Sequence, residues 1–345
     1  MTSSAPSDAR GLVDEPALRS WVGDRLPGEG AFEVERVTSG QSNEIFQLRR
    51  GGGRWLLRRP PRVGNAPGAH SMQREYRVLE ALAGSGVPHG RGLLLCADES
   101  VMGAPFYVME WLDGVRLYDG LPAELDPVPQ RKRIGEELFD ALAELHCFDW
   151  QPALSDFGRP DGFTERQVSR WMHQLHSYQV REIPALEEAA ASLGRAVPTT
   201  QRSALIHGDY GLHNVLFEPG APARLMAIVD WETATIGDPL LDLGFLLTLW
   251  LEGPEPTRWK ASALPYDVAG FPGRAELAER YADRTGLDLE HIDWYRAVAQ
   301  LKVACILEGA YARSVRGAYD ADGAALGDRV LDHAAYALAI AVGDA

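Results

Sequence analysis

Most of the strand-like patterning in this 345-residue chain falls in its first third, and long helical periods fill the rest. The runs "FEVERV", "NEIFQLRR" and "RWLLRR" are short, rich in apolar and β-branched residues, and separated by "TSGQS" and "GGG". A triple glycine between two such runs is a strong hairpin signal. Two further runs, "LLLCAD" and "PFYVMEWLDG", read as strands of the same small antiparallel sheet. Helical spacing governs "DEPALRSWVGDRL", where Pro16 sits in the first turn, and "AHSMQREYRVLEALAG", whose stripe of Met72, Tyr76, Leu79 and Leu82 has Glu75 beside it. From about residue 113 the pattern turns helical. "PQRKRIGEELFDALAELH" spaces Ile134, Leu138, Leu142 and Leu145 on one face, and further helices are expected over 163–179, 183–195, 239–251, 273–285, 289–315 and 325–341. Strands first and helices later, without alternation, predict an α+β chain in two lobes rather than a doubly wound sheet. The expected boundaries are a tail and short helix at 1–29, a sheet lobe at 30–112 and a helical lobe at 113–345.

Composition narrows the function. The chain is 46% apolar and 24% charged, an ordinary globular balance, and its net charge of −15 disfavours nucleic acid and anionic membranes as partners. Cys96, Cys147 and Cys305 are odd in number and scattered, so neither a disulfide framework nor a C-x-x-C metal knuckle is available. The first residues, "MTSSAPSDARG", lack the apolar stretch of a signal peptide, and "LLDLGFLLTLWL" is too short to span a bilayer. A reducing cytoplasm is the expected location.

Two interruptions of the helical half carry the chemistry. "LIHGDYGLHNVLF" places His207, Asp209, His213 and Asn214 between apolar flanks, and Asp230 ends the apolar run "RLMAIVDW". Three readings compete. His207, Asp209, His213 and Asp230 could form a hydrolytic metal centre. Asp209 and Asn214 could merely cap a turn. Phosphoryl transfer is the third: it needs an acid that orients the acceptor hydroxyl and takes its proton, and oxygen ligands for the cation that neutralises the phosphates. Asp209, then Asn214 five residues on, then Asp230 on the following strand pair, supply those groups in order. The loop "TSGQSN", with Ser39, Gly40, Ser42 and Asn43, is placed to cover the phosphates. Arg58 on the third strand, with Glu75 on the following helix, is placed to contact them.

The array "HGDYGLHNVLF" followed by "IVDWETATIGDPLLDL" resembles the aminoglycoside phosphotransferase and choline-kinase group of small-molecule kinases, from about residue 30 to the C-terminal helices. "LLRRPP" is similar to a bacterial branch of that group related to kinase-like domains fused to acyl-CoA dehydrogenases. The resemblance implies a protein-kinase-like fold with a nucleotide-binding sheet lobe. It implies ATP or GTP as donor and Mg2+ as cofactor. The acceptor would be a hydroxylated small molecule: an aminoglycoside, macrolide, amino alcohol, sugar or acyl derivative. It makes Asp209 the catalytic base, His207 a brace of the catalytic loop, and Asn214 and Asp230 the metal ligands. "MEWL" (109–112) matches the linker whose backbone meets the purine, which involves Glu110 and Leu112. Asp238 and Asp242 match a structural "GDPxxDL" element. Arg58 stands where most relatives have lysine, and no P-loop motif is present. A nucleotide or metabolite binder without transfer, and a metal-dependent hydrolase, are the alternatives. His213 is expected to be a solvated loop residue, and Trp150, Trp171, Trp231, Trp250 and Trp294 core residues.

Overall fold

The computed structural model describes residues 13–23, 25–37, 43–61, 71–250, 264–318 and 322–343. They divide into two compact units: residues 1–114 with 227–234, and residues 115–226 with 235–345.

The first unit opens with α1 (Glu15–Val22), capped by the Asp14 carboxylate, which accepts from the Ala17 N–H at 3.0 Å. The strands β1 (Glu33–Arg36), β2 (Glu44–Arg50) and β3 (Gly53–Arg59) follow as an antiparallel meander. Gly51 and Gly52, with φ of +53° and +82°, make the turn between β2 and β3, which is the conformation that the triple glycine supplies. Then come α2 (Met72–Leu82), β4 (Gly92–Cys96), α3 (Glu99–Met102) and β5 (Phe106–Glu110). The sheet order is β1-β2-β3-β5-β4.

Alternation along β3 sorts its side chains between the two faces of the sheet. Trp55 and Leu57 enter a core with Leu18 and Val22 of α1, Phe46 and Leu48 of β2, and Phe106 and Val108 of β5. Each such buried leucine contributes roughly 1.5–3 kcal/mol. Arg58, one residue on, takes the opposite face, where the register sets it across from Tyr107.

The second unit contains α4 (Val128–Cys147), α5 (Gln151–Leu154), α6 (Gln167–Tyr178) and α7 (Pro184–Arg195). Short strands follow: β6 (Ala204–Ile206), β7 (Val215–Phe217), β8 (Leu225–Ile228) and β9 (Thr235–Gly237). β6 pairs with β9 and β7 with β8, from whose Ala227 onward the chain belongs to the first unit. Among the described residues four further helices follow: α8 (Leu240–Leu249), α9 (Arg274–Thr285), α10 (Ile292–Val315) and α11 (Gly323–Val342). Apolar stripes of α6, α7, α10 and α11 meet in one core that includes Met172, Leu186, Leu301 and Val330. α8 is apolar on nearly all sides and is buried accordingly.

The helix expected over 163–179 begins later, at Gln167. Thr164, just before it, is fully buried and gives its hydroxyl to Asp238 Oδ2 at 3.1 Å, which commits the preceding residues to a loop. Among the described residues no helix is long and apolar enough to cross a membrane.

Candidate active site

In the first unit, Arg58 is the centre of a charge cluster. Its Nε lies 3.0 Å from Glu75 Oε2, its Nη2 pairs with Asp230 Oδ1, and the same nitrogen is 3.5 Å from Glu232 Oε2. The Tyr107 hydroxyl donates to Glu75 Oε2 at 3.0 Å, and the Asn43 amide donates to Glu232 Oε2 at 2.9 Å. A guanidinium fork can span two carboxylates at once, which a lysine ammonium does as a point charge without directional fit.

Glu75 is 1% exposed and belongs to the buried face of α2 rather than its border. Burial pushes its carboxyl up to about 7, against the pull of Arg58 and the Tyr107 hydroxyl. Burial also opposes the charge of Arg58, but Tyr107, Glu75 and Asp230 outweigh it and hold the guanidinium above its ordinary value. Two buried oxygens, Glu75 Oε1 and Asn43 Oδ1, have no hydrogen-bond partner among the described residues.

Asp230 is the one non-glycine residue with positive φ among those described, at φ 68° and ψ 63°. Aspartate tolerates this left-handed region better than most residues, yet the conformation still costs about 1 kcal/mol or more and recurs at functional sites. It turns the chain from β8 into a short 3-10 turn, Trp231–Thr233, and leaves the Asp230 side chain 32% exposed beside Arg58.

In the second unit the loop after β6 is fixed by a buried acid from α8. Asp242 is 1% exposed and accepts the backbone N–H groups of His207 at 2.6 Å and Gly208 at 2.8 Å. His146 Nε2 approaches it at 3.4 Å, and the other ring nitrogen of His146 meets the Tyr281 hydroxyl at 2.6 Å. Burial would raise the Asp242 carboxyl, but the His146 contact and the His207 N–H hold it below the ordinary range. Asp238 accepts from Tyr295 and Thr164 hydroxyls, at 2.8 and 3.1 Å, and from the Leu240 N–H at 3.0 Å. Both acids of the "GDPxxDL" element thus tie loops to helices.

His207 is fully buried, and its Nδ1 accepts the Asp209 N–H at 3.2 Å. That bond turns Nδ1 toward the loop backbone. Asn214 donates through its amide nitrogen to the Asp209 carbonyl at 2.8 Å and to Asp209 Oδ2 at 3.0 Å. Its amide oxygen, the atom that a hard cation would take, accepts nothing among the described residues. His213, expected to be solvated, lies 3.4 Å from Asp209 Oδ2 and is 25% exposed. Burial works to raise Asp209, but the His213 hydrogen bond, then Lys302 and His207, hold its carboxyl below the ordinary value.

Lys302 is a participant that the sequence did not announce. It projects from α10, donates to the Gly208 carbonyl, and has its ammonium 4.1 Å from the Phe245 ring centroid. Burial lowers its pKa, with Asp209 and Asp242 pulling the other way. Its signal was a cation inside the apolar run "AQLKVACIL", which is equally the signature of a helix border.

The remaining candidates are less gathered. Glu110 ends β5, and its carboxylate accepts the Arg91 N–H at 2.7 Å. The Leu112 N–H, two residues on, donates to no described residue. Ser39, Gly40 and Ser42 lie outside the described residues. No three His, Cys, Asp or Glu side chains among the described residues gather as a metal set, so the four-ligand hydrolytic centre has no geometric support there.

The profile of the phosphotransferase enzyme family matches residues 33–298. Acyl-CoA dehydrogenase family member 10 of Mus musculus is 32% identical over 319 residues, which cover 92% of this chain and 29% of that protein. The chain therefore spans under a third of the length of that curated relative. A solved structure from Ralstonia eutropha, of a candidate aminoglycoside phosphotransferase, superposes with a TM-score of 0.82 at 32% identity, over 96% of this chain and 98% of that one. A thermostable mutant of aminoglycoside phosphotransferase APH(4)-Ia, in ternary complex with ADP and hygromycin B, shares the fold with a TM-score of 0.61 at 17% identity, over 96% and 99% of the two chains. The family profile covers most of the chain, and the sheet unit and helical unit are those of its kinase-like neighbours: this protein belongs to the phosphotransferase enzyme family and has the protein-kinase-like two-lobe fold.

Proposed function

We propose that the protein transfers the γ-phosphate of ATP or GTP to a hydroxyl of a small molecule, with Asp209 as the base. The observation that carries this reading is the Asp209 carboxylate. It is 40% exposed, yet its Oδ2 is held by the Asn214 amide and by His213, and its backbone N–H is held by His207. A carboxylate kept ionised and aimed in this way can accept a hydrogen bond from an alcohol and fix its oxygen for in-line attack. Phosphoryl transfer passes through a loose transition state, so orientation counts for more than basicity, and a low pKa suits the task.

Asn214 Oδ1 and the Asp230 carboxylate are hard oxygen donors, which fit magnesium better than a soft metal. When bound, the ion would neutralise charge on the phosphates. The cluster of Arg58 with Glu75, Asp230 and Glu232 carries more acid than base, which favours a cation beside Asp230. Arg58 supplies fixed positive charge facing the nucleotide's phosphates, and Tyr107 and Glu75 set its orientation. Asn43 immediately precedes β2 and belongs to the loop sequence read as covering the phosphates; the backbone from Glu110 to Leu112 offers the edge for the purine. His207 braces the loop. The free cysteines, two of them buried, are compatible with a reducing cytoplasm.

The test is ADP or GDP formation above the no-acceptor background across hydroxylated metabolites and antibiotics. With an acceptor in hand, Asp209→Asn is expected to lower kcat by about 10²–10⁴-fold, the range of a general-base contribution. Nucleotide affinity should move far less. Near-wild-type turnover in Asp209→Asn would remove the base assignment.

A further inference from the structure

The second unit has an open groove of about 700 Å³ against the start of α6, lined by Arg159, Phe163, Arg166, Arg170, His173 and Thr235 among others. Its charge runs against the rest of the molecule. The chain has 49 acidic and 34 basic residues, yet among the described residues no carboxylate lines this groove, although Asp156, Asp161 and Glu165 belong to the same stretch of sequence.

The three arginines play different parts. Arg166 donates to the carbonyls of Asp161 and of Arg159, the latter at 2.7 Å, and so braces the loop that forms one wall. Arg159 and Arg170 have no hydrogen bond or ion pair from their side chains to any described residue. Arg170 instead lies over the Trp171 ring, with its guanidinium carbon 5.7 Å from the centroid. Cations gathered at the positive end of a helix repel one another and the dipole, so the arrangement costs stability unless an anion joins it. Guanidinium groups present their N–H fork to carboxylate and phosphate oxygens, which is the geometry that the groove leaves unfilled.

The groove is joined to the Asp209 loop by two short routes. Thr235, on its rim, pairs across the β6–β9 ladder with Ile206, the residue before His207. Phe163 lies against Gly237 of the same strand; a Cβ there would come within 2.5 Å of the ring, so only glycine admits this packing. The second route runs from Arg170 through the Trp171 ring to Lys302, whose ammonium is 6.0 Å from that ring's centroid and donates to the Gly208 carbonyl.

We propose that this groove seats an anionic group of the acceptor, a carboxylate or a phosphate, held by Arg159 and Arg170 with His173 beside them, so that the protein phosphorylates acidic hydroxy compounds in preference to cationic ones. The inference rests on the transfer reading above and adds the substrate class to it. An amine-rich acceptor would meet like charge at the arginines.

Four probes that share a vicinal diol separate the possibilities: glycerol 3-phosphate, glycerate, glycerol and 3-amino-1,2-propanediol. Binding of each to the full chain, with a non-hydrolysable ATP analogue and magnesium present, is read by ligand-observed NMR. The measurement is repeated for Arg159→Ala, Arg170→Ala and the double variant. The expected result is that at least one anion binds about ten-fold more tightly than glycerol, the amine binds no better than glycerol, and the double variant loses that preference. The ratio of glycerate to glycerol 3-phosphate assigns the seat to carboxylate or phosphate. Analogue affinity, measured in parallel, confirms that the variants are folded. Equal binding of all four probes, or an anion preference that survives in the double variant, would overturn the proposal. Loss of magnesium-dependent nucleotide binding in the wild type, with anion preference intact, would instead strike the transfer reading and leave the groove standing.

Discussion

Arg58 and Asp209 each sit among opposite charges, but they are held in different ways. Arg58 depends on side chains from distant parts of the sequence: Glu75 on α2, and Asp230 and Glu232 more than 150 residues later. Every contact in that cluster is between groups whose charge, rotamer or protonation can change. Asp209 sits in a loop whose own backbone is clamped by Asp242, His207 and the Lys302 ammonium. Backbone N–H groups have fixed charge and direction, so this loop is rigid by construction. A side-chain cluster responds to what binds it; a backbone-anchored loop presents one geometry to whatever arrives.

Substitutions at three positions bear on that difference. Asp242→Ala should have the largest effect, because it orphans the buried His207 N–H and the part-buried Gly208 N–H and leaves His146 without its acid. A loss of about 3–5 kcal/mol in urea unfolding is expected, the scale for breaking a buried charged network. A smaller loss there than in Arg58→Ala would reverse the ranking of the two regions.

Arg58→Ala comes next and should register in ligand binding. Nucleotide affinity measured by calorimetry should fall by about 1–3 kcal/mol, the scale of a charge-assisted hydrogen bond. Arg58→Lys should recover part of it, since charge returns without the planar fork. Unchanged affinity in Arg58→Ala would detach the cluster from the nucleotide.

Glu75→Gln should have the smallest effect, on the pH dependence of stability. The Glu75 carboxyl is raised from 4.5 to about 7 in the folded protein, so the native state binds the extra proton between those values. Its contribution is fully present below the unfolded pKa and is lost as pH rises through the folded one. Between pH 6 and 8 the wild type should lose about 1 kcal/mol relative to Glu75→Gln, as proton linkage requires. Parallel pH profiles would show that Glu75 is ionised throughout.

Sequence periodicity was enough to find the sheet and most helices, because alternation and the 3.6-residue stripe are direct consequences of which side faces the core. The pairing of Arg58 with Glu75 was also legible, since a cation on β3 and an acid near the inner face of α2 have few other places to go. Glu232 was not, because only the left-handed turn at Asp230 swings it back toward Asn43 and Arg58. Nor was His213: four residues from Asp209 is a neighbour's spacing on a helix, but loop geometry carries no such rule. Lys302 escaped for the opposite reason, as its helix was found but the carbonyl it meets belongs to a loop nearly a hundred residues earlier. The groove arginines gave no sequence signal either. They share the stretch "GRPDGFTERQVSR" with Asp161 and Glu165, and only the fold separates the two signs.

The segment 227–234 returns to the first unit from deep within the second unit's sequence, and this sets an order of events during synthesis. When Gly114 leaves the ribosome, the five-stranded sheet is complete but Asp230 and Glu232 have not been made. At translation speeds of about 5–20 residues per second, they follow on the order of ten seconds later. For that interval the nascent sheet carries a buried arginine with Glu75 as its carboxylate partner, and the charge cluster around Arg58 is unfinished. The first unit is therefore a domain in space but not in time: it cannot be completed by any fragment that stops at its apparent boundary.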